Sequence, residues 1–188
     1  MELTSIFSAF GLSASAGLNA YIPLLSIAVL AKFTNLIELS SPWDALTSWW
    51  IIGLLILLSA VEFFADKFPA VNHVNDIVQS FVRPTAGAIA FAASADIITD
   101  IHPVLSLAAG LLVAGSVHAV KSLAVRPAVT ATTGGTANIP VSIMEDVIST
   151  ILSILSIVIP VLMACLLILI TSFIVWKLWR KKNRLQSA

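Results

Sequence analysis

Long runs of apolar residues alternate with short polar intervals along this chain. Six runs stand out, and they cover residues 6–33, 49–64, 84–98, 103–122, 140–158 and 160–179. A helix needs about 20 predominantly apolar residues to cross the hydrocarbon core of a bilayer. The pattern therefore predicts an all-α protein that folds as a polytopic bundle of about six transmembrane helices.

The first apolar run is too long and too broken to form one plain span. Small residues fill it from Gly11 to Gly17, and Asn19 and Pro23 follow. A cleaved signal peptide is the alternative, but no basic residue precedes the run and the apolar pattern continues beyond the small residues. We therefore predict a retained helix that is interrupted within residues 11–23.

A second interruption is expected in the threonine- and glycine-rich stretch at residues 127–135. Backbone with so many polar and small residues is tolerated at membrane depth only where protein surrounds it or water reaches it. We predict that residues 11–23 and 127–140 each include a non-helical or re-entrant segment, and that both segments are shielded from lipid.

Residues 71–82 have a different pattern, with one apolar stripe on an otherwise polar helix. The stripe is made by Val71, Val74, Val78 and Phe81. Such an amphipathic segment suits a helix that lies on the membrane surface, here on the cytoplasmic side. Pro84 would then open the short third span, which is either tilted, thinly bounded or a half-helix.

The composition agrees with a chain that lies almost entirely in the bilayer. Hydrophobic residues make up 59% of the 188 residues, charged residues only 11%, and the mean hydropathy is +1.01. We therefore expect one membrane domain, residues 1–188, without a separate soluble catalytic domain. Ten basic residues are balanced by ten acidic ones, which gives no support to a nucleic-acid partner.

No motif in the sequence points to catalysis, a cofactor or a metal. Cys165 is the single cysteine and lies in an apolar run, so neither an intrachain disulfide nor a cysteine-based metal site can form. Neither a Ser-His-Asp arrangement nor a His-Glu-x-x-His motif is present, and the glycine-rich stretch lacks the Gly-Lys-Ser/Thr of a phosphate-binding loop. We expect no enzymatic activity, no cofactor and no bound metal.

The basic residues predict the orientation, because cytoplasmic loops carry an excess of lysine and arginine. Residues 181–188 form a basic tail together with the end of the last run, and the basic residues there are Lys177, Arg180, Lys181, Lys182 and Arg184. These side chains could also grip anionic lipid headgroups. Counting back through six crossings places Lys67, Arg83, Lys121 and Arg126 on the same side. Both termini are therefore predicted to be cytoplasmic.

Two short patterns recur along the chain. Val-Arg-Pro occurs at residues 82–84 and 125–127, and a Gly…Asn…Ile-Pro pattern occurs at residues 17–23 and 135–140. Internal repeats with paired broken helices point to a transporter binding site, and residues 1–98 and 103–180 would then be related halves. The alternative is that Arg-Pro is simply a common way to start a span from the cytoplasm.

Six ionisable residues fall at a similar depth, in the cytoplasmic half of the predicted spans. They are Glu62, Asp66, His118, Lys121, Glu145 and Asp146. Ionisable groups within a membrane are costly and usually face a cavity or a partner. We predict that they form one ion- or substrate-binding site. The alternative is that ion pairs, such as Glu62 with Lys121 or Asp66 with Arg126, only fix the packing of the helices.

Asn19 and Asn138 lie beside the two predicted helix breaks. Freed backbone groups at such breaks can hold an ion or an anionic group together with a nearby amide, so both residues are added to the predicted site. Alternatively, each amide only caps the helix that follows it.

Several segments together resemble a known family. They are Gly-Leu-Ser-Ala-Ser-Ala-Gly-Leu-Asn-Ala-Tyr-Ile-Pro-Leu at residues 11–24, Glu-Phe-Phe-Ala-Asp-Lys at 62–67, Phe-Val-Arg-Pro-Thr-Ala-Gly at 81–87, and Ala-Asn-Ile-Pro at 137–140 with Glu-Asp-Val at 145–147. These segments are similar to a bacterial family of small polytopic inner-membrane proteins known only as a domain of unknown function. The resemblance implies a multi-pass protein of the bacterial inner membrane, and it implies no particular activity.

Three functions remain open. The first is a small transporter or ion-conducting protein whose intramembrane carboxylates bind a cation or proton. The second is a lipid-handling protein that binds or scrambles headgroups, and the third is a membrane scaffold that transports nothing. A bundle of this size often needs a second copy to enclose a pathway, so we also expect a homodimer.

Overall fold

The computed structural model describes residues 2–67, 69–95, 102–159, 166, 168–173, 176–177 and 179–180, with the backbone alone at 2–5, 69–74 and 76. Within these residues the main elements are α1 (Glu2–Leu18), α2 (Tyr21–Phe33), α3 (Trp49–Ala65), α4 (Pro69–Ala95), α5 (Pro103–Val120), α6 (Arg126–Thr133) and α7 (Asn138–Val158). A 3₁₀ helix at Trp43–Thr47 precedes α3, and a π-helical turn at Lys121–Val125 joins α5 to α6. No strand occurs in this part of the chain, so the all-α prediction is confirmed.

Two of the described helices are long and apolar enough to cross a membrane. One is the continuous helix Pro103–Thr133, formed by α5, the π-helical turn and α6, and the other is α7. The apolar helices Ile6–Leu18, Tyr21–Phe33 and Trp49–Ala65 are shorter. Half of the sixth predicted run, including Pro160 and Cys165, lies outside the described residues. The count of six spans therefore stays a prediction.

Helix α1 lies at the centre of the fold and contacts α4, α5 and α7, while α2 contacts α3 and α7. Small residues allow α1, α4 and α5 to approach closely. A Cβ added at Gly87 would overlap the side chain of Ala114, and one added at Gly110 would overlap the backbone of Gly87. Close backbone approach through glycine and alanine is typical of helices that pack within a membrane.

The first predicted interruption is present but short. Residues 11–17 are helical, and the break is limited to Asn19 and Ala20, between α1 and α2. The side-chain oxygen of Asn19 accepts hydrogen bonds from the backbone N–H groups of Tyr21 and Ile22, both at 3.1 Å, and so caps α2. Both residues of the break are buried, as predicted.

The second predicted interruption is present as a turn at residues 134–137, while residues 127–133 are helical. Gly134 and Gly135 adopt left-handed conformations, with φ of 62° and 88°. The hydroxyl groups of Thr132, Thr133 and Thr136 donate to backbone carbonyl groups three or four residues earlier. Because the turn satisfies its polar groups locally, it needs no surrounding protein, and Gly134 and these threonines are exposed. The turn joins α6 to α7, and its shielding from lipid stays a prediction.

The prediction of a surface helix separate from the third span is wrong, because residues 71–82 and 84–95 belong to one helix, α4, with Pro84 inside it. The described side chains of its apolar stripe face outward, since Val78 is 50% and Phe81 75% exposed. Its polar face is turned inward, and Gln79 and Arg83 are buried. The inward polar face is stabilised because it meets acidic side chains at the end of α3.

Candidate functional site

The inner face of α7 is polar and its outer face is apolar. The buried positions are spaced three or four residues apart, so they form one helical face, and they include Ser142, Glu145, Asp146, Ser149, Ser153 and Ser156. Exposed apolar side chains occupy the opposite face, among them Ile143, Val147, Ile148, Ile151 and Ile154. The interior that α7 covers is therefore built from charges and hydroxyl groups.

Charged side chains from α3, α4, α6, α7 and the π-helical turn meet in this interior, together with Lys67, which follows α3. We call this group the ion-pair cluster, and its members are Glu62, Asp66, Lys67, Arg83, Lys121, Arg126, Glu145 and Asp146. It contains four carboxylates and four basic groups, so its formal charge is zero. All members are buried except Lys67, whose side chain is 14% exposed.

Glu62 and Arg83 form the most deeply buried pair of the cluster, with exposed fractions of 1% and 0%. Arg83 Nε and Nη2 lie 3.1 Å and 2.9 Å from Glu62 Oε1. The other carboxylate oxygen, Oε2, accepts from the backbone N–H of Ala20 at 3.1 Å. Glu62 thus joins α3 and α4 to the helix break that precedes α2.

His118 extends the cluster through Arg83. Arg83 Nη1 lies 3.2 Å from His118 Nδ1, and Ser80 Oγ lies 3.2 Å from His118 Nε2. A guanidinium group can only donate, so Nδ1 must be the acceptor and Nε2 carries the proton that is donated to Ser80. His118 is therefore a neutral member of this network.

Asp66 is the residue on which most basic groups converge. Its Oδ2 atom lies 3.4 Å from Arg83 Nη2, 3.5 Å from Arg126 Nη2 and 3.7 Å from Lys121 Nζ. Its Oδ1 atom accepts from Asn75 Nδ2 at 2.6 Å. One carboxylate oxygen is thus shared by three basic groups from three different elements.

Glu145 holds two of the same basic groups more tightly. Its Oε2 atom lies 2.7 Å from Arg126 Nη2 and 3.0 Å from Lys121 Nζ. Lys121 Nζ also donates to the backbone carbonyl of Leu18 at 3.0 Å. The π-helical turn is therefore tied both to α7 and to the end of α1, beside the first helix break.

Asp146 has different partners. Its Oδ2 atom lies 3.1 Å from Lys67 Nζ, and its Oδ1 atom accepts from Asn19 Nδ2 at 3.0 Å. Asn19 therefore both caps α2 and binds a carboxylate of α7. The two roles proposed for this amide, capping and contact with a charged group, occur together in one side chain.

A second polar layer lies between α1 and α7. We call it the serine seam, and it comprises Ser8, Ser15, Ser149, Ser153 and Ser156. Ser15 Oγ lies 2.8 Å from Ser149 Oγ and 2.7 Å from Ser153 Oγ. Ser8 donates to the carbonyl of Ser156. Serine has a neutral effect on hydropathy, so this seam escaped the sequence reasoning, although its spacing on α7 is that of one helical face.

The structure brings the six predicted ionisable residues and Asn19 into one network. It does not bring Asn138 there, because the Asn138 amide binds the hydroxyl of Thr130 at 3.1 Å on an exposed connection. That these residues bind an ion or substrate stays a prediction. Of the two ion pairs considered, Asp66 with Arg126 is present, whereas Glu62 is paired with Arg83 and no Glu62–Lys121 pair is found among the described residues.

Lys67, Arg83 and Arg126 were missed as members of the site. They were counted as groups at the cytoplasmic surface, but they lie inside the bundle and face acids. The available signal was the equal number of acids and bases at one predicted depth. These groups and Lys121 are paired inside the bundle, so they indicate the orientation less strongly than a solvated basic loop would. That both termini are cytoplasmic therefore stays a prediction.

The predicted headgroup-binding residues are only partly described. Lys177 and Arg180 are exposed, and the Arg180 guanidinium lies 5.2 Å from the centroid of the Trp176 ring. Lys181, Lys182 and Arg184 lie outside the described residues. Across the part of the chain that the structure describes, no group of three or more potential ligand side chains is arranged to hold a metal ion.

Comparison with known proteins gives one match. The model of a family described as "Domain of unknown function (DUF4126)" matches residues 6–180. No curated protein and no solved structure matches the chain. The chain therefore belongs to this family, which confirms the resemblance noted from its motifs, and the family description brings no activity with it.

Proposed function

We propose that this member of the family is a small multi-pass membrane transporter, and that the ion-pair cluster is where it binds the small solute or ion that it moves. One observation carries the proposal: a charge-balanced cluster is buried at a helix break, inside a bundle whose exterior is apolar.

The distribution of polarity supports a bundle surrounded by lipid. Trp50, Leu123 and Phe81 are 90%, 79% and 75% exposed. Arg83 and Glu62 are almost fully buried. Soluble proteins rarely bury charged groups in this way or expose apolar patches that are so extensive. In a membrane the same arrangement is favourable, because ionisable groups turn toward the bundle interior. We include the multi-pass topology and the bacterial inner membrane in the proposal.

The helix break supports solute binding. Transporters commonly form their sites where a helix is interrupted and its freed backbone groups become available. Here the Ala20 N–H contacts Glu62 and the Leu18 carbonyl contacts Lys121. Both backbone groups at the break are thus bound by members of the ion-pair cluster. A change of partners in the cluster would therefore act directly on the junction between α1 and α2.

A scaffold role explains the cluster less well. Buried ion pairs are weak stabilisers, because the cost of removing two charges from water offsets much of their attraction. A bundle that needed only packing would be served at least as well by apolar side chains. Shared partners such as Asp66 instead allow the pairing to change without leaving a net charge inside the bundle.

The pairing also limits how a cation or proton could bind. Each carboxylate of the cluster lies within 4.0 Å of a lysine or arginine nitrogen, and the shortest such distance ranges from 2.7 Å at Glu145 to 3.4 Å at Asp66. A cation or proton would therefore have to displace a tethered basic group. In the proposed transport cycle, the solute binds in exchange for one of these internal pairs.

Lipid handling is a second candidate because of one further feature. A cavity of about 270 Å³ lies between α2 and α7, and apolar side chains line most of it: Leu25, Val29, Leu30 and Ile154, with Ser26. Because its lining is almost entirely apolar, a lipid acyl chain is its natural occupant. We include the homodimer in the proposal for both candidate functions.

The deciding experiment is reconstitution of the full-length protein in liposomes, with proton flux, membrane potential, anion efflux and lipid scrambling followed in parallel. We expect solute or ion flux with the wild-type protein, loss of flux with Arg83→Gln, and unchanged flux with Ser149→Ala as the matched control. Scrambling without solute flux would favour the lipid-handling candidate. If the wild-type protein moves neither solutes nor lipids, both the transport function and the lipid-handling function are rejected, and the scaffold function remains.

A further inference from the structure

We propose that the solute of this site is a singly charged oxyanion, and that the Asp66 carboxylate is its tethered stand-in. In the resting structure Asp66 fills the point where Arg83, Lys121 and Arg126 converge, and the anion takes that point when Asp66 leaves. This inference rests on the proposed transport function, which it deepens by naming the class of solute.

The distances identify Asp66 as the most weakly held carboxylate at this point. Its contacts with the three basic groups measure 3.4, 3.5 and 3.7 Å. The same basic groups lie 2.7 to 3.0 Å from Glu62 and Glu145. Charge-assisted hydrogen bonds are strongest near 2.7–2.9 Å, so the basic groups are bound mainly by the two glutamates.

The departure of Asp66 would leave every basic group with a partner. Arg83 keeps Glu62, while Lys121 and Arg126 both keep Glu145. Asp66 directly follows the last residue of α3, Ala65, so its side chain can turn away without unfolding a helix interior. By contrast, displacing Glu62 or Glu145 would break the shorter contacts.

The charge balance sets the charge of the ligand. Without Asp66, three positive groups face two carboxylates, and the site carries one surplus positive charge. A singly charged anion restores neutrality, whereas a doubly charged one would leave an uncompensated charge in a buried site, which is costly. Carboxylates, dihydrogen phosphate and the phosphodiester of a lipid headgroup all have this charge and offer oxygen atoms to arginine.

Two amides on α4 provide further contacts at the same point. Asn75 Nδ2 donates to Asp66 Oδ1 at 2.6 Å, and this donor becomes available to an incoming anion. Gln79 lies one helical turn from both Asn75 and Arg83 and is 2% exposed, and its Oε1 atom has no hydrogen-bond partner among the described residues. A hydroxyl group on the anion would satisfy this acceptor.

The test uses full-length protein in detergent micelles and the variant Asp66→Asn, which removes the carboxylate charge at nearly unchanged side-chain size. We expect formate or singly charged phosphate to raise the Tm of this variant by roughly 5–10 °C at saturation, and to raise the wild-type Tm far less, because Asp66 competes. Asp66→Asn combined with Arg126→Gln removes the surplus charge, so its Tm should not respond. Asp146→Asn, which removes a carboxylate with other partners, should not respond either.

Two additions separate the sources of the anion and cover poor expression. If the ligand is a lipid headgroup, phosphatidylglycerol added to mixed micelles with phosphatidylcholine should raise the Tm of Asp66→Asn in place of the soluble anions. If Asp66→Asn is lost during purification, formate in every buffer should restore its yield. An equal Tm response in wild type, Asp66→Asn and the double variant, or no restoration of yield, would overturn the proposal.

Flux measurements in liposomes distinguish this inference from the transport function beneath it. An anion response in Asp66→Asn without anion flux by the wild-type protein would keep the binding site and reject transport. Cation or proton flux by the wild-type protein, with no Tm response of Asp66→Asn to anions, would support the proposed transport function and reject an oxyanion as the solute. Formate-dependent flux that Asp66→Asn abolishes would support both.

Discussion

The ion-pair cluster and the serine seam are two polar layers buried against the same two helices, α1 and α7, yet they are held in different ways. In the seam, Ser153 and Ser156 donate to carbonyl groups four residues earlier in their own helix. These two hydroxyl groups are therefore satisfied within α7, whereas those of Ser8, Ser15 and Ser149 form neutral hydrogen bonds between α1 and α7. In the cluster, every charged group depends on a partner from another part of the chain.

This difference indicates which layer can change state. A hydroxyl that bonds within its own helix gains little from a second arrangement of the bundle. A carboxylate shared by three basic groups has several pairings of similar energy, so a solute can select one of them. The seam lets α1 and α7 approach closely, and the cluster provides the groups that can exchange.

The difference between the ion-pair cluster and the serine seam is tested most severely by the variant Arg83→Gln. This change leaves the buried Glu62 carboxylate without its main partner, so we expect a loss of about 3–5 kcal/mol of stability. Thermal unfolding of the purified protein in detergent measures the loss. Arg83→Gln with the same Tm as Ser149→Ala would show that the charges of the cluster contribute no more than the hydroxyls.

The second prediction concerns the coupling between Arg83 and Glu62. Removing both charges, with Glu62→Gln in the Arg83→Gln protein, leaves no unpaired charge at this position. We expect the double variant to recover about 2 kcal/mol or more of the loss caused by Arg83→Gln alone. Additive losses in a double-mutant cycle would mean that the two side chains act separately.

Much of the cluster followed from the sequence because depth in a membrane can be counted along a helix. Glu62, Lys121 and Glu145 are far apart in the chain, yet each lies at a similar distance from the predicted cytoplasmic surface. Helical periodicity then places Asp66 on the same face as Glu62. These two regularities were sufficient to predict that the acids meet.

The basic half of the cluster could not be predicted in the same way. The stripe on α4 is equally amphipathic whether its apolar side faces lipid or the protein core, and the sequence alone does not say which side Arg83 takes. Pro84 was expected to start a helix, but α4 continues through it. A proline removes one backbone donor, which a helix packed on several neighbours can tolerate.

The two asparagines at the helix breaks provide a third prediction, with a matched control. Asn19 caps α2 and donates to Asp146, so Asn19→Ala should cost about 2 kcal/mol, from the lost cap and the lost bond to a charged group. Asn138 binds only Thr130 on an exposed connection, and Asn138→Ala should cost less than about 0.5 kcal/mol. If Asn19→Ala and Asn138→Ala lowered the Tm equally, the site could not be assigned to the first helix break alone.

The smallest expected effect is in the serine seam. In Ser15→Ala, Ser153 keeps its bond to the carbonyl of Ser149, and Ser149 loses the hydroxyl of Ser15 but keeps its bond to the backbone carbonyl at position 15. Because the methyl group of alanine fits the space of serine and few groups are left unsatisfied, we expect a loss of no more than about 1 kcal/mol. Flux in liposomes should remain at the wild-type level, since no member of the cluster contacts the substituted side chain. A loss of flux in a protein with unchanged Tm would instead place the seam on the solute pathway, and the distinction between a packing layer and an exchanging layer would then no longer hold.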